Sequence, residues 1–377
     1  MLSVFFIAPI VYASLMGFTY QSGKVTDIPV IVVNQDKTPM SQTVVDMLSD
    51  NKSIKVLPYL HQPANIRDEV IETEAAAVIV IPERFEAMML QKKYPEVNVF
   101  VNTSNVLTAN FATKAIQLTL GTFSAGAEMK ALQKKGMNAS QAASNYEPFK
   151  ANYITLFNTT SNYLVFMWPA LMAVILQQVI LLAMAVSFSA DFQRKSFFED
   201  YKSKKKYAFL VLLIKCLPVW IFSIFNILVF YGFSVYFKIP APENVLTFIL
   251  VTSMFVVSAT NLGVLMSILI PDALKATQIL MIIASPAFII SGFTWPTYAM
   301  PEFIVNFTKI IPLTPYLQGL KIMLIEKGSD YLTYAPLKHL CIQAVVFLIL
   351  GWIALKIKLN SLFKKHEIEN QNNDALE

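Results

Sequence analysis

Charged residues are scarce in this sequence of 377 residues, at 15% against about a quarter in a typical soluble domain. The mean hydropathy is correspondingly high, +0.52, and 55% of the residues are hydrophobic. The two cysteines and three histidines have neither a metal-ligand nor a disulfide spacing, so we expect no zinc site and no disulfide framework. The net charge of +5 comes without a basic patch interleaved with aromatic residues, so no nucleic-acid partner is expected.

Several motifs of enzymes and carriers are also missing. No phosphate loop of the type G-x-x-x-x-G-K-[ST] occurs, nor H-E-x-x-H or G-x-S-x-G, so we expect no cofactor in this chain and no ATP hydrolysis by that route. Acidic residues are scarce within the apolar stretches, which argues against a proton-coupled carrier. Lys215 is the one charge well inside such a stretch. It either extends its ammonium group toward the cytoplasmic side or contacts an anionic substrate headgroup.

Six apolar stretches reach or approach the ~20 residues that cross a bilayer. Residues 1–20 have no basic leader and no clean cleavage site, so we interpret them as an uncleaved signal anchor, with a cleaved signal peptide as the alternative. A proline-rich stretch, 294–338, predicts two short helices in the outer interface or dipping into it. The other predicted spans are Tyr163–Ala190, Tyr207–Phe237, Val245–Ile270, Thr277–Phe293 and Leu340–Leu355.

Between the first two spans the pattern changes to short apolar runs that alternate with helical segments. This alternation predicts an α/β layer, and residues 138–153 are expected to be a polar linker. The predicted strands are 28–33, 53–59, 76–81 and 97–102. The first predicted helix begins after residue 38 and ends near residue 50. The other predicted helices cover 63–74, 83–92 and 105–135.

Basic residues indicate the orientation. The densest cluster, residues 194–206, follows the second span, Lys275 follows the fourth, and four lysines lie at 356–365. Positive residues favour the cytoplasmic side, and six spans place all three segments on that side. We therefore expect both termini in the cytoplasm of a bacterial plasma (inner) membrane. The predicted organisation is transmembrane helix 1 at 1–20, an extracytoplasmic domain at 21–160, helices 2–6 at 161–357 with an outer re-entrant segment at 294–338, and a cytoplasmic tail at 358–377.

The predicted fold class is thus an α-helical polytopic membrane protein with about six transmembrane helices and an inserted extracytoplasmic α/β domain. Polar residues at membrane depth have two readings: they form hydrogen bonds between helices, or they line a lateral substrate path. The candidate path residues are Gln177, Gln178, Asn226, Asn261, Gly292 and Phe293.

Four stretches, in order, resemble the permease subunits of type 2 ABC exporters, in the subgroup with a large extracytoplasmic domain after the first span. They are IPVIVVNQDKTPMS at 28–41, AAVIVIPERFE at 76–86, PALMAVILQQ at 169–178, and ISGFTWPTYAMP at 290–301 followed by IPLTPY at 311–316. Two features depart from the family pattern. The family usually has an amphipathic cytoplasmic helix before the first span, and here we expect either a misassigned start or the loss of that helix. A usual Gly-Thr step is Ser196-Phe197.

The resemblance implies a separate ATPase subunit that holds ATP and magnesium, and a second permease, identical or related. It also implies export of a hydrophobic or amphiphilic solute, with the outer domain contacting a periplasmic membrane-fusion adaptor or shaping the exit. The implied contact with the ATPase is the segment after the second span. Its candidate residues are Phe192, Arg194, Lys195, Phe197 and Glu199.

Two other functions compete with this one. A membrane-anchored receptor or scaffold would use the outer domain to bind a protein partner, but six spans with polar residues at membrane depth exceed what an anchor needs. An ion-coupled secondary carrier is disfavoured by the missing intramembrane acids.

Overall fold

The computed structural model describes residues 2–57, 66–93, 95–146, 154, 156–194, 201 and 207–374. The chain forms two compact units. Residues 24–154 are called the sheet unit here, and residues 1–23 with 155–377 are called the helical unit. The helical unit begins with α1 (Leu2–Thr19).

The sheet unit contains four strands in the order β2-β1-β3-β4: β1 (Ile28–Asn34), β2 (Ile54–Leu57), β3 (Ala77–Ile81) and β4 (Asn98–Val101). Strand β1 is parallel to β2 and β3, and β4 is antiparallel to β3. Apolar side chains from β1 and β3 are buried on both faces of the sheet, in two separate clusters. Continuous apolar runs such as Ile28–Asn34 are typical of strands covered on both sides. The helices of this unit are α2 (Pro39–Ser49), α3 (Ile66–Glu72), α4 (Phe85–Leu90), α5 (Val106–Lys134) and α6 (Ala139–Tyr146).

The strands and first four helices of this unit lie where the sequence predicts them, within a few residues at each end. Outside the described residues lie 58 and 59 of the second predicted strand, 63–65 of the predicted helix 63–74, and 147–153 of the predicted linker. The prediction of a linker at 138–153 was wrong for its first half, because α6 occupies 139–146. Asn138 accepts a hydrogen bond from the Gln141 amide at 2.8 Å, which starts that helix despite its polar composition.

Asp36, in the NQD part of the first resembling stretch, joins the loop after β1 to the start of α4. Its carboxylate accepts hydrogen bonds from the Thr38 hydroxyl and from the Glu86 amide, the latter at 3.1 Å. Burial alone would raise the pKa of Asp36, but these donors outweigh it and lower the pKa below its ordinary value. The two loops are therefore held by an ionised carboxylate.

The helical unit continues with the longer apolar helices. Five helices of the described chain are long and apolar enough to cross a membrane, and α1 is a shorter apolar helix. The remaining helices are α7 (Tyr163–Ala185), α8 (Ser189–Phe192), α9 (Ala208–Tyr236), α10 (Val245–Leu269), α11 (Ala273–Ile290), α12 (Glu302–Thr308), α13 (Leu313–Leu320) and α14 (Asp330–Asp374).

Two predicted spans in this unit had wrong boundaries. The fifth span, predicted at Thr277–Phe293, begins earlier, at Ala273, because Asp272 caps it by accepting a hydrogen bond from the Lys275 amide at 2.9 Å. The sixth, predicted at Leu340–Leu355, is part of the 45-residue helix α14. Pro336 lies inside that helix, although a proline removes one backbone hydrogen bond and crowds the preceding turn.

These changes shorten the predicted outer segment and give the predicted tail a helical start. The segment predicted at 294–338 ends before residue 330, and it contains a short 3₁₀ turn, α12, α13 and a π-helical turn at Lys321–Glu326. Residues 358–374 of the predicted tail continue α14.

The ends of the long helices meet at two places in the helical unit, which are called here the Tyr163 end and the Asp191 end. At the Tyr163 end, α7 begins, α9 ends and α10 begins. At the Asp191 end lies α8, near the start of α9 and the end of α10. Helices α7 and α10 are the most buried, and α9 and α11 are mostly exposed.

Candidate functional site

The polar residues of the Asp191 end surround α8, which opens the predicted coupling segment. The Ser267 hydroxyl, near the end of α10, accepts hydrogen bonds from the backbone amides of Phe188 at 2.8 Å and Ser189 at 3.0 Å. A side chain of α10 thereby satisfies the first amides of α8, which have no partner within their own helix. The start of α8 is fixed to α10.

Lys215 fixes the same segment to α9. Its ammonium group forms an ion pair with the Asp191 carboxylate, donates to the Ser187 carbonyl at 2.6 Å and lies 4.4 Å from the centre of the Phe188 ring. The two charged side chains are only 22% and 17% exposed. The Tyr201 hydroxyl donates to the same carboxylate at 2.7 Å. Of the two readings of Lys215, this geometry fits the lysine that extends toward the basic loop.

Two of the five predicted coupling residues lie in the described part of the chain. Phe192 ends α8 half-buried, with its ring centre 6.2 Å from that of Phe188. Arg194 is 68% exposed and lies 3.8 Å from Asp191. Lys195, Phe197 and Glu199 lie outside the described residues. Arg194 thus faces outward beside a charged network that is anchored to two long helices.

The polar candidates for the substrate path lie on three different helices. Asn261 of α10 donates to the Ala344 carbonyl of α14 at 2.9 Å, and Asn226 of α9 donates to the Phe5 carbonyl of α1 at 3.1 Å. Both bonds are buried and join helices, which is the first of the two readings offered for these residues. Gln177 is 1% exposed and its Oε1 has no hydrogen-bond partner in the described structure, while Gln178 is half-buried. A role in a substrate path stays a prediction.

The bond from Asn226 has a specific cause in α1. Pro9 lies inside that helix and has no backbone N–H, so the carbonyl four residues earlier, at Phe5, lacks its usual helical donor. The Asn226 amide supplies a hydrogen bond to that carbonyl from the neighbouring helix. Within a bilayer such a carbonyl has no water to bind, so the side chain replaces a missing backbone donor.

Gly292 and Phe293 form the turn after α11. Gly292 has φ of +86°, and a Cβ there would lie 2.5 Å from Cγ2 of Thr297, so both backbone and space require glycine. The Phe293 ring stacks on Phe166 of α7, with ring centres 4.9 Å apart. The two residues thus form a turn that packs on α7.

A cavity that the sequence did not predict lies at the Tyr163 end. Its volume is about 360 Å³, and its walls come from α7, α9, α10, α13, the π-helical turn and residues 239–242. None of the six candidate path residues lines it, although Leu176 and Ile227, next to two of them, do. Its lining is almost entirely apolar, so composition does not distinguish these residues from lipid-facing ones.

The profile of a family described as "ABC-2 family transporter protein" matches residues 1–354. The chain belongs to the ABC-2 transporter family. It is therefore a multi-pass membrane protein and an ABC transporter permease. In the described part of the chain, no cluster of His, Cys, Asp and Glu suits a metal ion.

Among curated proteins, the ABC-2 chain is similar to the "Probable multidrug ABC transporter permease YbhS" of Escherichia coli strain K12. The two are 25% identical over 152 residues, which is 40% of each chain. The protein of the same name from Escherichia coli O157:H7 gives the same figures. The match thus spans less than half the length of these relatives, and their multidrug description belongs to them.

Proposed function

We propose that this chain is the membrane-spanning subunit of an ATP-driven exporter that moves a hydrophobic or amphiphilic solute out of the cytoplasm or the inner leaflet. ATP and magnesium bind a separate ATPase subunit, and a second copy or a related permease completes the membrane part. Membership of the ABC-2 family supports this proposal. The multidrug description of the Escherichia coli relatives favours an apolar or amphiphilic solute.

The observation that carries the proposal is the anchoring of α8. Phe188 and Ser189 are bound to Ser267 of α10, and Asp191 is bound to Lys215 of α9. A displacement of the segment that follows α8 is therefore transmitted to two long helices through short polar contacts. We assign this segment, with Phe192, Arg194, Lys195, Phe197 and Glu199, to the contact with the ATPase.

The orientation proposed from the basic residues places the Asp191 end in the cytoplasm of a bacterial inner membrane, together with both termini. The sheet unit is then the extracytoplasmic domain that the resemblance implies. A four-stranded sheet buried on both faces, with charged residues on its connecting loops, suits an aqueous compartment. A periplasmic adaptor is its proposed partner.

Charge reversal tests the coupling contact. In the variant Arg194→Glu/Lys195→Glu, we expect transport to fall about tenfold while the partner ATPase still hydrolyses ATP, because one charged contact contributes roughly 1.5–3 kcal/mol. Lys358→Glu/Lys364→Glu, on α14, makes the same charge change elsewhere and should leave transport intact. Transport and ATP hydrolysis are measured in proteoliposomes with the co-purified ATPase. Unchanged transport by a correctly inserted Arg194/Lys195 variant would contradict the assignment.

A further inference from the structure

The cavity at the Tyr163 end combines an apolar wall with one pair of hydroxyl groups. The Thr252 and Tyr316 hydroxyl oxygens are 3.2 Å apart, and both residues line the cavity while being nearly inaccessible to solvent. The Tyr316 ring is held by a parallel stack on Phe255, with ring centres 4.0 Å apart. The position of the hydroxyl pair is therefore set by packing.

This pair has a hydrogen-bonding group to spare. Each hydroxyl can donate one hydrogen bond and accept others, and the bond between Thr252 and Tyr316 uses only one of the two protons. The described structure gives neither hydroxyl another partner. A buried donor without an acceptor costs about 1–3 kcal/mol, so an acceptor arriving in the cavity would be favoured.

The rest of the cavity suits an apolar body. Its volume of about 360 Å³ falls in the range of small-molecule sites, which begins at roughly 300 Å³. Trp168, whose indole N–H already binds the Ala13 carbonyl, adds only its apolar face. Apolar cavities of about 150 Å³ stay dry and take up apolar ligands. Water is thus a poor occupant of this larger apolar space.

The cavity opens sideways, through residues that also form the outer face of the helices. Leu228 and Tyr231 of α9 and Ile249 of α10 line it, and they are 61%, 62% and 52% exposed. In a membrane-spanning helix such a face contacts lipid. A ligand can therefore enter from the hydrocarbon region without crossing the helical unit.

We propose that this cavity binds an amphiphile with an apolar body and one hydrogen-bond acceptor, which enters from the bilayer and is held by the Thr252–Tyr316 pair. The proposal rests on the proposed function only in taking the long helices to span a membrane. The same chemistry is found in a membrane lipid, through its ester carbonyl, and in an exported solute. Binding requires no ATP hydrolysis, so a failure of coupling would leave this proposal standing.

Photo-crosslinking of the full chain tests the site. The protein is placed in nanodiscs of phosphatidylethanolamine and phosphatidylglycerol that contain a phosphatidylethanolamine with a diazirine on its acyl chain. Adducts are then mapped by mass spectrometry. We expect enrichment on residues 227–234 and 245–252. Labelling spread evenly over the exposed apolar faces, or absent from these segments, would overturn the proposal.

Two variants and one control variant make the result specific. Ala241→Trp places a large ring at the exposed edge of the cavity and should reduce the adducts severalfold, whereas Ala299→Trp, exposed and outside the lining, should not. Tyr316→Phe keeps the stacked ring and removes only the hydroxyl. The loss of about 1 kcal/mol of hydrogen bonding should lower adduct yield about fivefold. If Ala241→Trp and Tyr316→Phe both label like the unmodified protein, the site is refuted.

Competition identifies the source of the ligand. Rhodamine 6G, an amphiphilic dye with an ester carbonyl, is added to the same nanodiscs at increasing concentration. Displacement of the lipid probe from residues 227–234 and 245–252 would assign the cavity to solutes of that class. Adducts that persist at saturating dye would assign it to lipid. Either result supports the shared chemistry, provided that the adducts depend on the Tyr316 hydroxyl.

Discussion

Each end of the helical unit is stabilised by a different kind of interaction. At the Asp191 end, an ion pair and hydroxyl contacts fix α8 to α9 and α10. At the Tyr163 end, aromatic rings surround Phe237, and an apolar cavity lies among the helices. Charged contacts have one favoured geometry, and apolar contacts tolerate exchange of partners. The first end is suited to transmit a displacement, and the second to accommodate a ligand.

The largest effect on stability is expected from a substitution of Lys215, at the Asp191 end. In Lys215→Met, Asp191 keeps its charge in a mostly buried position without its ammonium partner. We expect the free energy of unfolding to fall by about 2–3 kcal/mol, below the full effect for a buried pair because both groups retain some exposure. The measurement is unfolding by sodium dodecyl sulfate in mixed micelles, followed by circular dichroism.

Two further variants isolate the cause of that loss. Adding Asp191→Asn to Lys215→Met removes the unpaired charge and should recover more than half of the stability. Lys321→Met breaks the ion pair with Glu326, in which the lysine is 50% exposed, and should cost about 1 kcal/mol or less. Equal losses from Lys215→Met and Lys321→Met would show that the Asp191 end has no special reliance on charge.

A glycine tests the aromatic end. A Cβ on Gly17 of α1 would lie 2.0 Å from Cε2 of Phe237, a ring confined by Phe18 and Trp168. Gly17→Ala should lower the free energy of unfolding by about 1–2 kcal/mol through overpacking. Gly232→Ala, in α9 with open space around its Cβ, should raise it by roughly 0.5–1 kcal/mol. A Gly17→Ala variant that is as stable as the unmodified protein or more so, measured in the same micelles, would show that the Phe237 ring moves aside at little cost.

Much of the fold was predictable because its signals are local. The apolar runs at 28–33 and 76–81 became β1 and β3, and the long helices lie on the predicted spans. The boundaries of α14 were missed because the apolar run ends where the polar residues at each end of the helix begin. The helical backbone hydrogen bonds continue through those polar residues. Helix α6 was missed because its start depends on a side-chain cap in a polar segment.

The candidate site was less predictable because its contacts join distant parts of the chain. Lys215 was singled out by its charge, but Asp191 became its partner only when α8 packed against α9. The cavity gives no sequence signal, because its lining repeats the residue types that face lipid. Thr252 was not selected, and Tyr316, 64 residues away, was noted only as the end of the resembling stretch at 311–316.

The smallest expected effect lies between the two ends, at Asn226. If the role of the Asn226 amide is to donate a hydrogen bond to the Phe5 carbonyl, Asn226→Leu should lower the free energy of unfolding by about 0.6–1 kcal/mol. The solute concentration for half-maximal transport should stay unchanged. The loss should shrink when Pro9→Ala restores the backbone donor that Phe5 lacks in α1. A double-mutant cycle measures this dependence, since the two single variants should couple. Additive losses, with a shift in the half-maximal solute concentration, would instead place Asn226 in a substrate path.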